Sequence, residues 1–245
     1  GFRWDPWPEA IEILDLRRMG VFDPGEREVR AYSDDQAICT GYANSDASIG
    51  HVPPAHHLAR RIGESLFRLR AADGAGQVGP DGKVLVRIQR QGLLWRPLHV
   101  SISLNHHAGS DWMMLNRMAN QAVEEACAGH PLPEVEVNGA GEFTCSGPMG
   151  DNGLSGKKLV VDAYGPTVPI GGGAWSGKDF NKVDRAGGLL ARNMALSAVT
   201  EAGAQEAQVT LAYMPGCTEP VNVQVLLDGG ERTLDTLPAT DRIPR

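Results

Sequence analysis

Val84-Leu-Val-Arg-Ile-Gln89 and Leu98-His-Val-Ser-Ile-Ser-Leu-Asn105 decide the fold class of this chain. In the first run Val84, Val86 and Ile88 alternate with Leu85, Arg87 and Gln89. In the second, Leu98, Val100, Ile102 and Leu104 alternate with His99, Ser101, Ser103 and Asn105. A period of two places each apolar set on one face of a strand. The spacing therefore predicts an antiparallel hairpin with one buried face.

Working outward, Pro53 and Pro54 introduce a helix on which Leu58, Ile62, Leu66 and Leu69 form one stripe and Arg60, Arg61, Glu64, Arg68 and Arg70 occupy much of the rest. Ser110 and Asp111 are positioned to cap a second helix that runs to about Ala128 and stops at Gly129. A strand is expected over 158–164, a helix over 184–202, and strands over 207–213 and 221–227; residues 8–19 read as a short helix opened by Pro8 and closed by Gly20. Paired strands with a helix occur and then occur again. The predicted architecture is α+β: two similar sheet-and-helix units with mixed or antiparallel sheets, helices covering one face of each. The expected division is an N-terminal segment over 1–44 that packs on the later unit, a first unit over 45–140 and a second over 141–245.

The chain has 245 residues, with 23 Lys+Arg against 30 Asp+Glu and a net charge of −7. That balance disfavours a general nucleic-acid binder, so any anion site must be local. No apolar run approaches the ~18 residues of a membrane span. Cys39, Cys127, Cys145 and Cys217 show no C-x-x-C pairing, which points to four unpaired thiols in a reducing cytoplasm.

Two glycine-rich stretches carry lysines just after glycines: Gly147-Pro-Met-Gly-Asp-Asn-Gly-Leu-Ser-Gly-Lys-Lys158 and Gly171-Gly-Gly-Ala-Trp-Ser-Gly-Lys-Asp-Phe-Asn-Lys-Val-Asp184. Glycine lets backbone N–H groups approach a phosphate and lysine adds point charge. The helix beginning near Asp184 would aim its N-terminus at the same loop. Asp151, Asp179 and Asp184 offer hard oxygens suited to nucleotide-borne Mg2+. Gly172 to Lys178 fits G-x-x-x-x-G-K, but Asp179 stands where a P-loop has Ser or Thr, and Pro166-Thr-Val-Pro-Ile170 makes a poor strand before it. A true P-loop is disfavoured.

The run from Gly147 through Asp184, with GPMGDNGLSGKK, VVDAYG, GGGAWSGKD and KVDR, resembles S-adenosylmethionine synthetase (methionine adenosyltransferase). Asp35-Gln36 with Gly41-Tyr42-Ala43, Pro80-Asp81-Gly82-Lys83, Leu211-Ala-Tyr213 and Glu219-Pro220 extend the likeness over about 33–227. The resemblance implies that methionine sulfur attacks C5′ of ATP, with release of triphosphate that is then cleaved to phosphate and diphosphate, in the presence of Mg2+ and K+. It implies catalytic roles for Lys178, Lys182, Asp151 and Lys158. Nucleotide contacts would come from Asp81, Lys83, Phe143, Asp151, Lys157, Lys158, Ala174 and Lys178. Methionine contacts would come from Asp35, Asp151 and Lys182, and Asp184 would hold the metal. It further implies a homodimer or homotetramer with sites at the subunit interface.

The chain departs from the family pattern in places. The family's Gly-His-Pro-Asp-Lys segment does not occur, Glu142 stands where the family has Arg before Phe143, and Ile170 replaces a His before the glycine triplet. The expectation is a shortened or divergent member, the alternative a non-catalytic or substrate-shifted relative that binds nucleotide or serves as a partner subunit. His56-His57 and His106-His107 read as surface or capping histidines, since adjacent side chains on a strand diverge. Trp4 and Trp7 with Phe2 read as a packing or subunit-contact patch, Met113, Met114 and Met118 as core or interface filler, and Cys145 as a buried thiol.

Overall fold

The structure, a computed structural model, describes residues 32–72, 77–146, 150 and 156–232, with the backbone alone at 231 and 232. The expected helix over 8–19, the Trp4/Trp7 patch and Asp151 lie outside the described residues. The chain divides into two compact units, one containing Pro54–Gly153 and the other Val21–Pro53 with Leu154–Arg245. These units break where the first long helix begins and within the first lysine-bearing glycine stretch, beside the boundaries at 45 and 141 that the sequence suggests.

In the first unit, α1 (Pro54–Ala72) is followed by β2 (Val78–Gln91) and β3 (Leu94–His106), then α2 (Trp112–Ala126) and the short β4 (Glu134–Val137). β2 and β3 form the antiparallel hairpin that the alternation predicts, with Val84 opposite Ile102 and Val86 opposite Val100. β4 joins β3 in parallel, which makes this sheet mixed. Leu58, Ile62 and Leu66 of α1 and Leu115, Met118, Ala119, Ala122 and Val123 of α2 close over Val78, Val100, Ile102 and Leu104. Each fully buried Leu or Ile contributes ~1.5–3 kcal/mol, and their common face explains why both helices lie on one side. Asp111 caps α2 as the sequence indicates, its carboxylate accepting the Met113 N–H at 2.8 Å.

The second unit is built on an antiparallel sheet in the order β1 (Ala37–Asn44), β5 (Glu206–Tyr213), β6 (Asn222–Leu227), β7 (Gly230–Arg232). Its long helix α4 (Val183–Thr200) packs Ala191, Met194, Ala195, Ala198 and Val199 against Cys39, Ala43, Val209 and Leu211. The approach of helix to strand is very close at Gly41: a Cβ there would fall 2.0 Å from the Ala191 carbonyl carbon. Arg192 of α4 donates to the carbonyls of Tyr42, His51 and Gly50, which anchors the turn leaving β1.

Three sequence expectations change. Residues 158–164 hold no strand but a single helical turn, α3 (Leu159–Asp162), between Gly156 and Gly165, both in left-handed conformation. Leu-Val-Val is too short a run for its period to be read, and its β-branched residues tilt the reading to strand. His106 is not at the surface: it is buried at the end of β3, edge-on to Trp112 with ring centres 5.6 Å apart. Cys145 is exposed rather than buried, whereas Cys39 and Cys127 are the buried thiols; all four cysteines are free. Met118 is core and Met113 is exposed. No helix among the described residues is long and apolar enough to cross a membrane.

Candidate functional site

The second glycine stretch forms a loop held between β1 and α4, and at Gly171 and Gly173 there is no room for side chains. A Cβ on Gly171 would lie 1.4 Å from the Ile38 carbonyl oxygen, and one on Gly173 would lie 1.9 Å from the Asp184 carboxylate. Gly172 and Gly177 adopt φ of 94° and 79°, which glycine takes at no steric cost. Trp175 folds back over the helix, where Gly188 admits its ring: a Cβ there would be 2.0 Å from the indole. Ala174 meets Gly156 of the first glycine stretch, 2.6 Å from where a Cβ on that glycine would stand.

This packing delivers two lysines to the start of α4. Lys178 Nζ donates to Asp184 Oδ2 at 2.5 Å, with the side chains 32% and 22% exposed. Asp184 lies in the first turn of α4, where a carboxylate also complements the helix dipole. Lys182 is the N-cap residue of α4 and donates to Asp34. That hydrogen bond holds the Asp34 carboxyl below the usual carboxylate range, and holds the Lys182 ammonium above its own usual value. Asp35, next along the chain, adds to the field that favours charged Lys182, and its carboxylate accepts the Gln36 N–H at 2.8 Å. Lys157 and Lys158 are exposed at the entry to α3.

Beside Asp184 is a notch of about 60 Å3 lined by Ile38, Thr40, Leu159, Gly173 and Trp175 among others. At ~10–15 Å3 per water its enclosed part takes a handful of water molecules. Cys39 also lines it, but burial and the charge of Asp184 push its thiol up to about 12, so it stays protonated and is no nucleophile at neutral pH.

The other expected residues belong to the first unit. Asp81 is half-buried at the register shift of β2 between Val78 and Gly82, and Lys83 is exposed opposite Ser103. Phe143 is half-buried in the segment after β4, where its backbone pairs with that of His106. The structure thus groups Lys178, Lys182, Asp35, Asp184 and Ala174 within the second unit, and sets Asp81, Lys83 and Phe143 on the first. Asp34 and Trp175 join the first group without having been assigned a role from sequence. Trp175 had a visible signal, since it interrupts a run of glycines and lysines.

The family implies Mg2+ and K+. Among the described residues no group of three His, Cys, Asp or Glu is arranged to hold a metal ion. Mg2+ that arrives on a nucleotide needs only one or two protein carboxylates besides the phosphates, and Asp184 fits that demand.

Residues 145–239 match the family model described as S-adenosylmethionine synthetase, C-terminal domain. An S-adenosylmethionine synthase of Brachyspira hyodysenteriae is 35% identical over 221 residues, covering 88% of this chain and 56% of that protein. The solved structure of an unusual S-adenosylmethionine synthetase from Campylobacter jejuni superposes with a TM-score of 0.73 at 26% identity, over 83% of this chain and 55% of that one. The chain spans a little over half the length of these relatives. By sequence and by fold it is a relative of the S-adenosylmethionine synthetases, and its residues 145–239 belong to their C-terminal domain family.

Proposed function

We propose that this protein makes S-adenosylmethionine from ATP and L-methionine. The sulfur attacks C5′ of ATP, the S–C bond forms as the C5′–O bond breaks, and triphosphate departs with the electron pair before its cleavage to phosphate and diphosphate. The attacking atom belongs to the substrate, so no protein nucleophile is required, in keeping with the protonated Cys39. The demand on the protein is to hold the reactants in line and to stabilise a highly charged leaving group.

The observation that carries this reading is the pair of lysines, Lys178 and Lys182, each set by a carboxylate at the start of α4, on a loop in which Gly172 and Gly177 face open space. Such cations are already oriented when the triphosphate leaves. Lys178, Lys157 and Lys158 would bind phosphate oxygens, Asp35 and Lys182 the methionine, and Asp81, Lys83, Phe143 and Ala174 the nucleoside. Asp184 would hold Mg2+, which when bound neutralises phosphate charge. In keeping with the family likeness, we assign part of the substrate surface to a second copy of the chain in a homodimer or homotetramer. Free thiols fit a reducing cytoplasm.

A second reading, a nucleotide-binding relative without the transferase step, draws on Glu142, an exposed carboxylate beside Phe143. The test is mass-spectrometric detection of S-adenosylmethionine and triphosphate after incubation with ATP, methionine, Mg2+ and K+, with Lys178→Ala as control. Product that vanishes in the control supports synthesis. ATP binding without product supports the second reading.

A further inference from the structure

Two neighbouring residues at the end of β3, Asn105 and His106, grip the segment 143–146 at several points. His106 N–H donates to the Phe143 carbonyl at 2.9 Å, and Asn105 Nδ2 donates to the same carbonyl at 2.8 Å. The Phe143 N–H donates to His106 Nε2 at 3.1 Å, and Ser146 Oγ donates to Asn105 Oδ1 at 2.9 Å. Both side chains are buried, at 2% exposure for His106 and 5% for Asn105. Room for Asn105 comes from Gly79, where a Cβ would fall 1.7 Å from its Oδ1.

The partners of His106 define its form. Nε2 faces an N–H, so it must be the bare acceptor; Nδ1 faces the His107 carbonyl at 2.9 Å and must carry the proton. The imidazole is therefore neutral with its hydrogen on Nδ1. Trp112, at the first position of α2, packs against the ring and holds it in place. A residue that the sequence presents as one of two surface histidines is in fact a fixed acceptor.

We infer that His106 is a positioning residue for the nucleotide, setting the backbone at Phe143 so that the half-exposed ring is presented in one orientation. This rests on the reading of Phe143 as a nucleoside contact. Asn105 shares the task by fixing the carbonyl of the same residue and the Ser146 hydroxyl three residues on, immediately before the first glycine stretch.

The amide of Gln reaches about as far as Nε2 of His, whereas that of Asn stops near Nδ1. His106→Gln therefore keeps an acceptor for the Phe143 N–H and His106→Asn does not. Loss of one hydrogen bond is expected to raise KM for ATP about tenfold in His106→Asn, with kcat and KM for methionine within about threefold of wild type. His106→Gln should restore KM for ATP to within about twofold. Hydrogen exchange of peptides spanning 142–146 should quicken in the Asn variant and not in the Gln variant, a readout independent of turnover. Wild-type KM and exchange in His106→Asn, or equal damage in both variants, would overturn the inference. A wild-type chain that forms no product brings down the proposed function instead, and that failure is seen before any variant is compared.

Discussion

Replacing Gly173 by Ala tests whether the lysine at the phosphate loop is held by Asp184. The added methyl would stand 1.9 Å from Asp184 Oδ1 and 2.3 Å from its Cγ, so the carboxylate must swing away. Its hydrogen bond to Lys178 at 2.5 Å is then lost. A hydrogen bond to a charged group is worth ~1.5–3 kcal/mol, and partial exposure of both partners reduces this to about 1–2 kcal/mol. Gly173 is not among the glycines with positive φ, so Ala also stabilises by ~0.4–1 kcal/mol through the unfolded chain. The net expectation is a small destabilisation of about 0.5–1 kcal/mol, accompanied by a fall of about 10–100-fold in kcat/KM for ATP as the cation loses its orientation. The decisive assay is a double-mutant cycle on urea midpoints. In an Asp184→Ala background the two shortest contacts are gone and only the one to Cβ, at 2.9 Å, remains, so Gly173→Ala should cost clearly less there than in the wild type. Equal destabilisation in both backgrounds would refute the argument, because the cost would then lie in the backbone and not in the carboxylate.

The Asp34–Lys182 pair has a defined pH window. Asp34 is lowered, so its contribution is present above the usual carboxylate range and fades as pH falls through its folded value; Lys182 is raised, so its share fades only as pH climbs beyond the usual lysine range. Both groups are substantially exposed, so Asp34→Asn should cost no more than ~1 kcal/mol near neutrality and less in high salt, and the difference should shrink as pH falls below the usual carboxylate range; a urea-midpoint gap that does not change with falling pH would contradict this. Gly41→Ala drives a methyl to 2.0 Å from the backbone of α4, which cannot yield, and should cost about 3 kcal/mol or prevent folding. Gly63→Ala, in the interior of α1 with nothing within 4 Å, should stabilise by ~0.5–1 kcal/mol in the same urea titration.

The elements that sequence revealed are those that bury one face. The stripe of α1 and the alternation of β2 and β3 follow directly from a solvent side and a core side, and the structure buries Leu58, Ile62, Val100 and Ile102 accordingly. β1 escaped as a strand because nearly all of it is buried, Ile38 being the exposed exception, so no alternation marks it. Its residues carried a family likeness but no period. β4 has the right alternation in Glu-Val-Glu-Val, yet four residues after two prolines look like a loop. At the site, the lysines and glycines were legible as types, and their pairings were not. Lys182 could have met Asp179, Asp184 or Asp35 by proximity in sequence or likeness; it meets Asp34, 148 residues away along the chain. His106 was misread for a similar reason: sequence shows its polarity, and only the tertiary fold brings Phe143 to cover it.

The pairing of β1 with β5 sets an order of events during synthesis. Ala37 hydrogen-bonds opposite Tyr213, and the whole first unit from Pro54 to Gly153 is inserted between them. At ~5–20 residues per second the ribosome takes on the order of 10–35 s to supply β5 after β1 has emerged. The inserted unit has its hairpin and both helices in hand well before that moment, and its contacts are local enough to form early. β1 meanwhile waits as an apolar strand with neither sheet nor helix, exposed to wrong partners in a way that none of its later neighbours is. Its aggregation hazard is therefore one of timing, and slower elongation across residues 154–205 would lengthen it.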